Sequence, residues 1–434
     1  MNAINIFWFR RDLRLEDNAA LYHALKGNYP VVPIFIFDSN ILDRLEDKKD
    51  RRVTFIYENI KAIHQELFDI GSSLEVFYGK PEQVFMQLLS KYKVSAVYTN
   101  HDYEPYAKKR DKGIEAILKE KGIAFYTYKD QVIFEKDEVV KDDGKPYTVF
   151  TPYSRKWKEK LDAFYLRSYA TEKYLADFYK QPLREIPSMK AMGFIDTNES
   201  FPDKKVQASL VRGYATHRDF PAENATSRVS VHLRFGTISI RKLASQASSL
   251  SNVYLNELIW REFYQAILWH FPHVEGHSFK PGYDHIHWRN NEQEFERWCE
   301  GKTGYPIVDA GMRELNSTGF MHNRVRMIVA SFLTKHLLID WRWGEAYFAA
   351  KLIDYELASN NGGWQWAAGS GCDAAPYFRI FNPYLQTKKF DKDLVYITKW
   401  VPEFQELTYP KPVVEHEYAR KRCLEVYSKS LKIS

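Results

Sequence analysis

The chain has 434 residues and a net charge of +6. This length is too great for one ordinary core, so two domains are expected, and the charge suits an acidic partner such as nucleic acid without requiring one. No apolar run approaches the roughly 18 residues of a membrane span. Three widely spaced cysteines exclude a cysteine metal cluster and predict a reducing, cytoplasmic location.

The first third of the chain alternates between apolar runs and helical patterns. Five apolar runs predict buried strands at residues 4–9, 31–37, 74–78, 96–99 and 123–128. Helical patterns lie between them, near residues 17–26, 51–69, 81–91 and 104–121. Because the runs are continuously apolar rather than alternating, they predict a parallel, doubly wound five-stranded sheet that is covered on both faces.

The residues after the first predicted strand are strongly charged. They include Arg10, Arg11, Asp12, Arg14 and Asp17. The glycine-rich GxGxxG fingerprint is absent there, which argues against a conventional dinucleotide site. Two interpretations stay open: a solvated loop of salt bridges, or polar groups that serve a ligand beyond the ends of the strands.

Past residue 128 the alternating pattern loosens into a charged and proline-punctuated stretch. Strand signals disappear after residue 200, and helical patterns such as 253–269 and 325–338 dominate. We therefore predict three parts along the chain. They are an α/β domain at 1–128, an interdomain linker at 129–195 and an all-helical domain at 196–434.

The most unusual stretch is 354–383, which reads DYELASNNGGWQWAAGSGCDAAPYFRIFNP. It places two adjacent amides and a glycine pair beside Trp364 and Trp366. Each glycine costs about 1 kcal/mol of helix propensity relative to alanine, so a plain core helix explains this composition poorly. The stretch is either part of a functional site or a turn between two packed helices whose tryptophans fill the core.

Three further motifs in this half of the chain carry chemically useful groups. The hydroxyls and arginine of TSRVS, at 226–230, suit either a phosphate at a helix N-terminus or an ordinary N-cap. One helix face, at spacing i, i+3, i+4 and i+7, carries Glu257, Trp260, Arg261 and Tyr264. In MHNRVRM, Asn323 and Met327 lie one helical turn apart. We find no sequence pattern of a metal site or of a Ser/His/Asp arrangement.

Six motifs occur in order along nearly the whole chain: FWFRRDLRLEDN, TSRVS, ELIWREFY, GKTGYPIVDAGMREL, MHNRVRM and NNGGWQWAAGSGCDAAPYFRIFNP. With these motifs the sequence resembles the photolyase/cryptochrome flavoprotein family, and within it the class I cyclobutane pyrimidine dimer photolyases. The resemblance implies an N-terminal α/β domain, a linker and a helical domain that binds FAD. It also implies a monomeric, light-driven enzyme whose excited, reduced FAD passes an electron to a pyrimidine dimer in DNA, so that the dimer splits.

The resemblance assigns one group of residues to FAD. Around the diphosphate it places Tyr214, Thr226, Ser227, Arg228, Val229 and Ser230. Beside the isoalloxazine ring it places Arg326, Asp354, Tyr355 and Glu356. Asn360 occupies the position that faces flavin N5, where plant cryptochromes carry aspartate. An amide cannot deliver a proton to N5 as a carboxylic acid can, so Asn360 would leave the reduced flavin unprotonated.

A second group matches the pocket that receives the damaged bases. Its members are Glu257, Trp260, Tyr264, Asn323, Met327 and Trp366. A dimer must be flipped out of the duplex to reach the flavin, where the tryptophans would stack on it and Glu257 and Asn323 would hydrogen-bond its polar edges. Glu257 would also stabilise the charge that develops after electron transfer. Photolyases for the (6-4) lesion have histidines in place of Asn323 and Met327, which argues against that lesion.

Two further sets follow from the same resemblance. A relay that re-reduces the flavin from the surface would consist of Trp364, Trp341 and Trp288. Without the resemblance, the second and third of these tryptophans would be interpreted as core residues. Contacts to DNA phosphates, which fix register rather than sequence, would come from Arg218, Arg261, Arg324 and Arg379.

The antenna chromophore is the least defined part of the resemblance. Folate-using members carry a glutamate where this chain has Ala107, and the nearby Glu104 is not the matching position. The motif EPYAKKRD is closer to members that use a deazaflavin or no antenna, so methenyltetrahydrofolate and a deazaflavin both stay open.

Two other function classes also stay open: a cryptochrome-type light sensor, and a non-enzymatic flavoprotein or DNA-binding module.

Overall fold

The computed structural model describes residues 2–431 and divides into two compact units that interleave along the chain. The sheet unit comprises the residues up to Glu135, Lys160–Val206 and Arg228–Ser249. The helical unit comprises Lys136–Glu159, Gln207–Ser227 and the residues from Leu250 onward. The domain boundaries at 128 and 195 stay a prediction. Among the described helices, none combines the length and the apolar character needed to cross a membrane.

The sheet has five parallel strands in the order β3-β2-β1-β4-β5. They are β1 (Ile4–Phe9), β2 (Val31–Asp38), β3 (Glu75–Gly79), β4 (Val94–Asn100) and β5 (Ala124–Tyr128). Every residue of β1 and β2 is buried, because helices cover both faces of the central strands. The prediction of a five-stranded, doubly wound parallel sheet is therefore confirmed.

Nine α-helices precede residue 251 in the described part of the chain. They are α1 (Ala19–Leu25), α2 (Ser39–Leu42), α3 (Arg51–Asp69), α4 (Pro81–Lys91), α5 (Pro105–Glu120), α6 (Phe150–Lys160), α7 (Ala208–His217), α8 (Ser230–Phe235) and α9 (Ile240–Leu250). The starts of α1, α3 and α4 have local causes. The side chains of Asn18 and Asp50 cap α1 and α3, and α4 begins at a proline, which needs no backbone donor there.

Nine more helices form most of the helical unit. They are α10 (Asn252–His270), α11 (Glu292–Cys299), α12 (Pro306–Thr318), α13 (Asn323–Ser331), α14 (Trp341–Lys351), α15 (Leu357–Ala368), α16 (Pro383–Phe390), α17 (Val395–Trp400) and α18 (His416–Leu431). A π-helical turn, Phe332–His336, continues α13. The helix α15 lies against α10, α13 and α14, which places it at the centre of the unit.

Of the charged residues after β1, Asp12, Arg14 and Asp17 are buried, and the side chains of Arg10 and Arg11 are only 7% and 10% exposed. The interpretation of a solvated loop is therefore wrong. Arg14 donates to Asp130 at 2.7 Å, and Arg241 of α9 donates to Asp17 at 2.9 Å and to Asp130 at 2.7 Å. The side chains of these four residues are at most 6% exposed. Burial acts to raise the pKa of Asp130, but the two arginines hold it below its ordinary value. The network fixes α9 to the loops that follow β1 and β5.

Candidate functional site

The stretch that carries the two amides and the glycine pair folds as α15. The alternative of a turn between two packed helices is therefore wrong for these residues, whereas its other part, a tryptophan that fills the core, is confirmed for Trp364, which is 2% exposed. A Cβ atom at Gly362 would lie 2.2 Å from Cδ1 of Tyr264, so only glycine allows the ring of α10 to pack here. A Cβ atom at Gly363 would meet no heavy atom within 4 Å. The helix thus has one glycine for close packing and one on an open face.

Asn360 lies on the same open face of α15, one turn before Gly363. Its amide nitrogen donates to the Glu345 backbone carbonyl at 3.1 Å and to the Glu345 carboxylate at 2.8 Å. Burial raises the pKa of Glu345, and the bond from Asn360 offsets this only in part. Because the nitrogen is engaged by α14, the amide oxygen is the atom that Asn360 offers to a bound group.

Two ion pairs surround the start of α15. Arg326 of α13 donates to Asp354 at 2.9 and 3.2 Å, and Arg261 of α10 donates to Glu356 at 2.9 Å. The Asp354 side chain is 4% exposed, whereas that of Arg326 is 26% exposed. The Arg326–Asp354 pair therefore combines a fixed carboxylate with a guanidinium that other groups can still reach.

The helix α10 presents Glu257 and Trp260 one turn apart. Glu257 is ion-paired with Arg218, which follows α7. Burial raises the pKa of Glu257, and the charge of Arg218 lowers it in part. The indole of Trp260 stacks on the ring of Phe150, with centroids 3.8 Å apart and an angle of 4° between the planes. One face of this indole is therefore covered by the first residue of α6.

On α13, Asn323 is exposed and Met327 follows it one turn later, as the spacing predicts. Arg324 donates to Asp219 at 2.7 Å and lies 4.4 Å from the ring centroid of Phe390. These contacts hold the guanidinium of Arg324 at the surface of the helical unit, where 18% of the side chain is exposed. On α15, Trp366 is also half-buried.

The loop after α15 carries Arg379, which is exposed. The buried side chain of Lys335, in the π-helical turn, anchors this loop. Its ammonium donates to the backbone carbonyl of Tyr377 at 2.8 Å. Lys335 is only 1% exposed, and burial lowers its pKa to about 8. A buried ammonium thus fixes the backbone beside an exposed arginine.

The three predicted relay tryptophans lie in or against one core cluster of the helical unit. Trp364 is 2% exposed and Trp341 is 1% exposed, while Trp288 packs on the edge of the cluster and is partly exposed. Trp364 contacts Trp298 and Phe348 edge-on, at centroid distances of 6.1 and 5.0 Å. The interpretation of Trp341 as a core residue and its predicted relay role are compatible, because a buried indole can do both.

The run 226–230 is divided between the two units. In the helical unit, the Ser227 hydroxyl lies 2.8 Å from the Tyr254 hydroxyl, and Tyr254 contacts the ring of Tyr214 at a centroid distance of 5.0 Å. In the sheet unit, the N-cap of α8 is Val229, which has no side-chain oxygen for a cap hydrogen bond. An ordinary hydroxyl N-cap is therefore not the reason for this run.

Sequence reasoning did not find three residues that the structure brings to this region. They are Phe150 against Trp260, Glu345 against Asn360 and Asp219 against Arg324. Nothing in the local pattern identifies them, because each is defined by its contact with a residue on another element. The aromatic and basic segment VFTPYSRKW was the available sign that α6 is more than a linker.

Comparison with known proteins agrees with this geometry. The DNA photolyase family profile matches residues 5–173, and the profile of the FAD binding domain of DNA photolyase matches residues 254–408. The chain is 38% identical to the deoxyribodipyrimidine photo-lyase of Synechococcus sp., over 99% of this chain and 97% of that protein.

Two solved structures extend the comparison to the fold. A bacterial class III photolyase from Agrobacterium tumefaciens has a TM-score of 0.88 and 33% identity, covering 100% of this chain and 98% of that one. An archaeal photolyase from Sulfolobus tokodaii, solved with two FAD molecules, has a TM-score of 0.84 and 36% identity, covering 99% of this chain and 100% of that one.

The chain therefore belongs to the DNA photolyase family. The predictions of this family, of its fold, of an enzyme and of FAD as cofactor are confirmed. The assignment to class I stays a prediction, because a class III enzyme is similar along the whole chain.

Proposed function

We propose that the protein repairs cyclobutane pyrimidine dimers in DNA under light. FAD, when bound in its reduced form and excited, supplies the electron that splits the dimer. The observation that supports this most strongly is the open face of α15. It carries Asn360 and Gly363, and Trp366 lies one turn beyond, on a helix packed against α10. One helix thereby offers groups to a flavin and to a stacked base.

The residues of the helical unit fit a flavin. The open face at Gly363 gives a flat ring room beside α15, and the Asn360 amide oxygen is a hydrogen-bond acceptor there. Arg326 and Asp354 would supply a donor and an acceptor to the polar edge of the ring. We also propose FAD contacts for Tyr214, for Tyr355 and Glu356, and for the run Thr226, Ser227, Arg228, Val229 and Ser230.

For the dimer, the chain supplies stacking surfaces and hydrogen-bonding groups. Trp260 and Trp366 are each half-buried, so each indole has a surface for a base, at about 1–3 kcal/mol of stacking per base. Glu257 and Asn323 would bond the polar edges of the bases, and Met327 and Tyr264 would complete the walls. A dimer pairs poorly within a duplex, which lowers the cost of flipping it out.

The four predicted DNA-contacting arginines differ in exposure. Arg379 is exposed, and Arg218 and Arg324 keep 32% and 18% of their side chains exposed. Arg261 is 12% exposed and paired with Glu356, which favours a role inside the helical unit. We propose Arg379, Arg218 and Arg324 as the phosphate contacts that fix the duplex.

Three expectations accompany this proposal: a second chromophore, a cytoplasmic location and a monomeric state. Ala107, at the position where folate-using members have glutamate, is buried in α5. Glu104 is engaged with Arg11 at 3.1 Å and with Arg234 at 2.9 Å. Because Glu104 serves the protein's own ion pairs, it does not replace the missing glutamate.

A repair assay tests the proposal directly. Reduced enzyme is incubated with an oligonucleotide that contains one cyclobutane dimer, in blue light and in darkness. We expect the dimer content to fall only in light, because splitting requires the excited flavin. A matched oligonucleotide with a (6-4) lesion should remain unchanged. Equal dimer content in light and darkness would contradict the proposal.

DNA binding should be strongly salt-dependent. Replacing Arg379 with glutamine is expected to weaken binding to damaged and undamaged duplex alike, and to lower the slope of log affinity against log salt by about 1. Binding titrations at about 50 and about 200 mM salt measure this slope. Arg420→Gln, at an exposed position of α18, is the matched control and should leave the slope unchanged. Equal slopes for the wild type and Arg379→Gln would remove Arg379 from the interface.

A further inference from the structure

The helix α6 docks along α10 through one face. Phe150, Tyr153 and Trp157 lie at spacing i, i+3 and i+7 on this face. Phe150 stacks on Trp260, Tyr153 contacts Phe263 at a centroid distance of 5.1 Å, and Trp157 donates to Glu262 at 2.5 Å. Tyr153 and Trp157 are at most 2% exposed, so this face of α6 is buried within the helical unit.

Phe150 is the member of this face that reaches the candidate dimer pocket. Its ring is 3.8 Å from that of Trp260 and parallel to it within 4°. Both rings also meet Phe263 edge-on, at 6.0 and 5.6 Å. An indole held between a stacked ring and an edge-on ring cannot rotate without losing both contacts.

The backbone of Phe150 is fixed as well. Its N–H donates to the carboxylate of Asp373 at 3.0 Å. Asp373 belongs to the loop after α15, which also bears Arg379. The ring of Phe150 is thus held by its neighbours on α10 and its main chain by the loop that carries an exposed arginine.

We propose that Phe150 is a positioning residue for dimer recognition, covering one face of Trp260 and holding the indole so that a flipped-out dimer stacks on the opposite face. This inference rests on the proposed function. It assigns a binding role to a segment that the sequence presents as an interdomain linker. Phe150 itself does not touch the dimer, and it acts only through the orientation of Trp260.

If Phe150 has this role, its substitution should weaken the binding of damaged DNA and leave the binding of undamaged DNA unchanged. Phe150→Leu keeps an apolar side chain but removes the stacked ring, so the indole keeps its contacts with Phe263 and Tyr264 and loses the one that fixes its plane. We expect about tenfold weaker binding of dimer-containing duplex, which corresponds to one aromatic pair. Binding of undamaged duplex should be unchanged. In a repair assay with chemically reduced enzyme, KM should rise while kcat stays within about twofold, since the bound dimer still reaches the same flavin.

Two variants separate this role from general loosening of α6. Tyr153→Leu removes a ring from the same helix face that contacts Phe263 and not Trp260, so dimer affinity should stay near that of the wild type. Phe150→Tyr keeps the stacked ring and should restore wild-type affinity. If Phe150→Leu does not give folded protein, Phe150→Met takes its place in the same comparison, because it fills more of the volume without a ring.

The outcomes are distinguishable. The inference is supported if Phe150→Leu binds damaged DNA with tenfold lower affinity and undamaged DNA with unchanged affinity, while Tyr153→Leu and Phe150→Tyr bind damaged DNA like the wild type. Wild-type dimer affinity in Phe150→Leu overturns it, and so does an equal loss in Phe150→Leu and Tyr153→Leu, which would show a structural role only. A wild-type protein with no preference for the dimer overturns the proposed function and the inference with it.

Discussion

Replacing Trp341 with phenylalanine is expected to reduce photoreduction of bound, oxidised FAD to the background rate. The residue would be the middle member of the relay Trp364, Trp341 and Trp288, and a phenyl ring is far harder to oxidise than an indole. The indole of Trp341 is 1% exposed, and its Nε1 atom has no hydrogen-bond partner within the described residues. The substitution therefore removes no hydrogen bond and leaves a small cavity, at a cost of about 1–3 kcal/mol in stability.

Flavin absorbance during illumination measures this effect, and two controls define it. Trp343→Phe changes an indole two residues later on α14 that packs against the same cluster but lies outside the predicted relay. It should photoreduce like the wild type. Trp341→Phe reduced with dithionite should repair dimers normally, whereas Trp260→Ala should photoreduce normally and bind the dimer weakly. If Trp341→Phe photoreduces at the wild-type rate, the relay assignment is wrong and Trp341 is only a core residue.

The sheet could be predicted from the sequence because its signals are local. β1 and β2 are continuous apolar runs that the fold buries on both faces, and their observed bounds agree with the predicted ones to within one residue. The helix starts are equally local, since Asn18 and Asp50 cap helices in their own sequence neighbourhood. Where propensity and packing disagreed, the local signal failed: α15 is a helix despite its glycine pair, because Gly362 must admit the ring of Tyr264.

The site shows the same division between local and distant information. The placement of Asn323 and Met327 on one face of α13 follows from their spacing alone. The partners of Trp260 and Asn360 could not be found in this way. Glu345 has ordinary sequence surroundings, and the aromatic segment around Phe150 does not name its partner. Both roles arise from contacts between helices that only the folded chain defines.

Burial of charge is the property that local sequence conveys least. The loop after β1 looks like a solvated set of ion pairs, but Asp17 is bound by Arg241, which lies 224 residues further along the chain. A loop rich in arginine and aspartate has the same composition whether its side chains are exposed to solvent or buried. Only the distant partner decides between the two.

Arg241→Met is accordingly expected to destabilise the protein by about 3–5 kcal/mol, because removing one member of a buried network leaves the others uncompensated. Arg241 donates to Asp17 at 2.9 Å and to Asp130 at 2.7 Å, and both carboxylates are 1% exposed. Since the pKa of Asp130 is held below its ordinary value, its stabilising effect is present above about pH 4 and is lost as the pH falls. The difference between variant and wild type should therefore shrink in acid.

Urea unfolding at neutral pH and at a pH well below about 4 measures both effects. Lys242→Met is the matched control, because the adjacent Lys242 pairs with Glu16 at 2.5 Å while 49% of its side chain and 61% of that of Glu16 are exposed. An exposed pair of this kind contributes at most about 1 kcal/mol, so this variant should unfold close to the wild type. If Arg241→Met and Lys242→Met lost the same small amount of stability, the result would contradict the prediction. It would mean that water solvates the carboxylates of Asp17 and Asp130 once the arginine is gone. The network would then hold α9 in place without dominating the stability of the sheet unit.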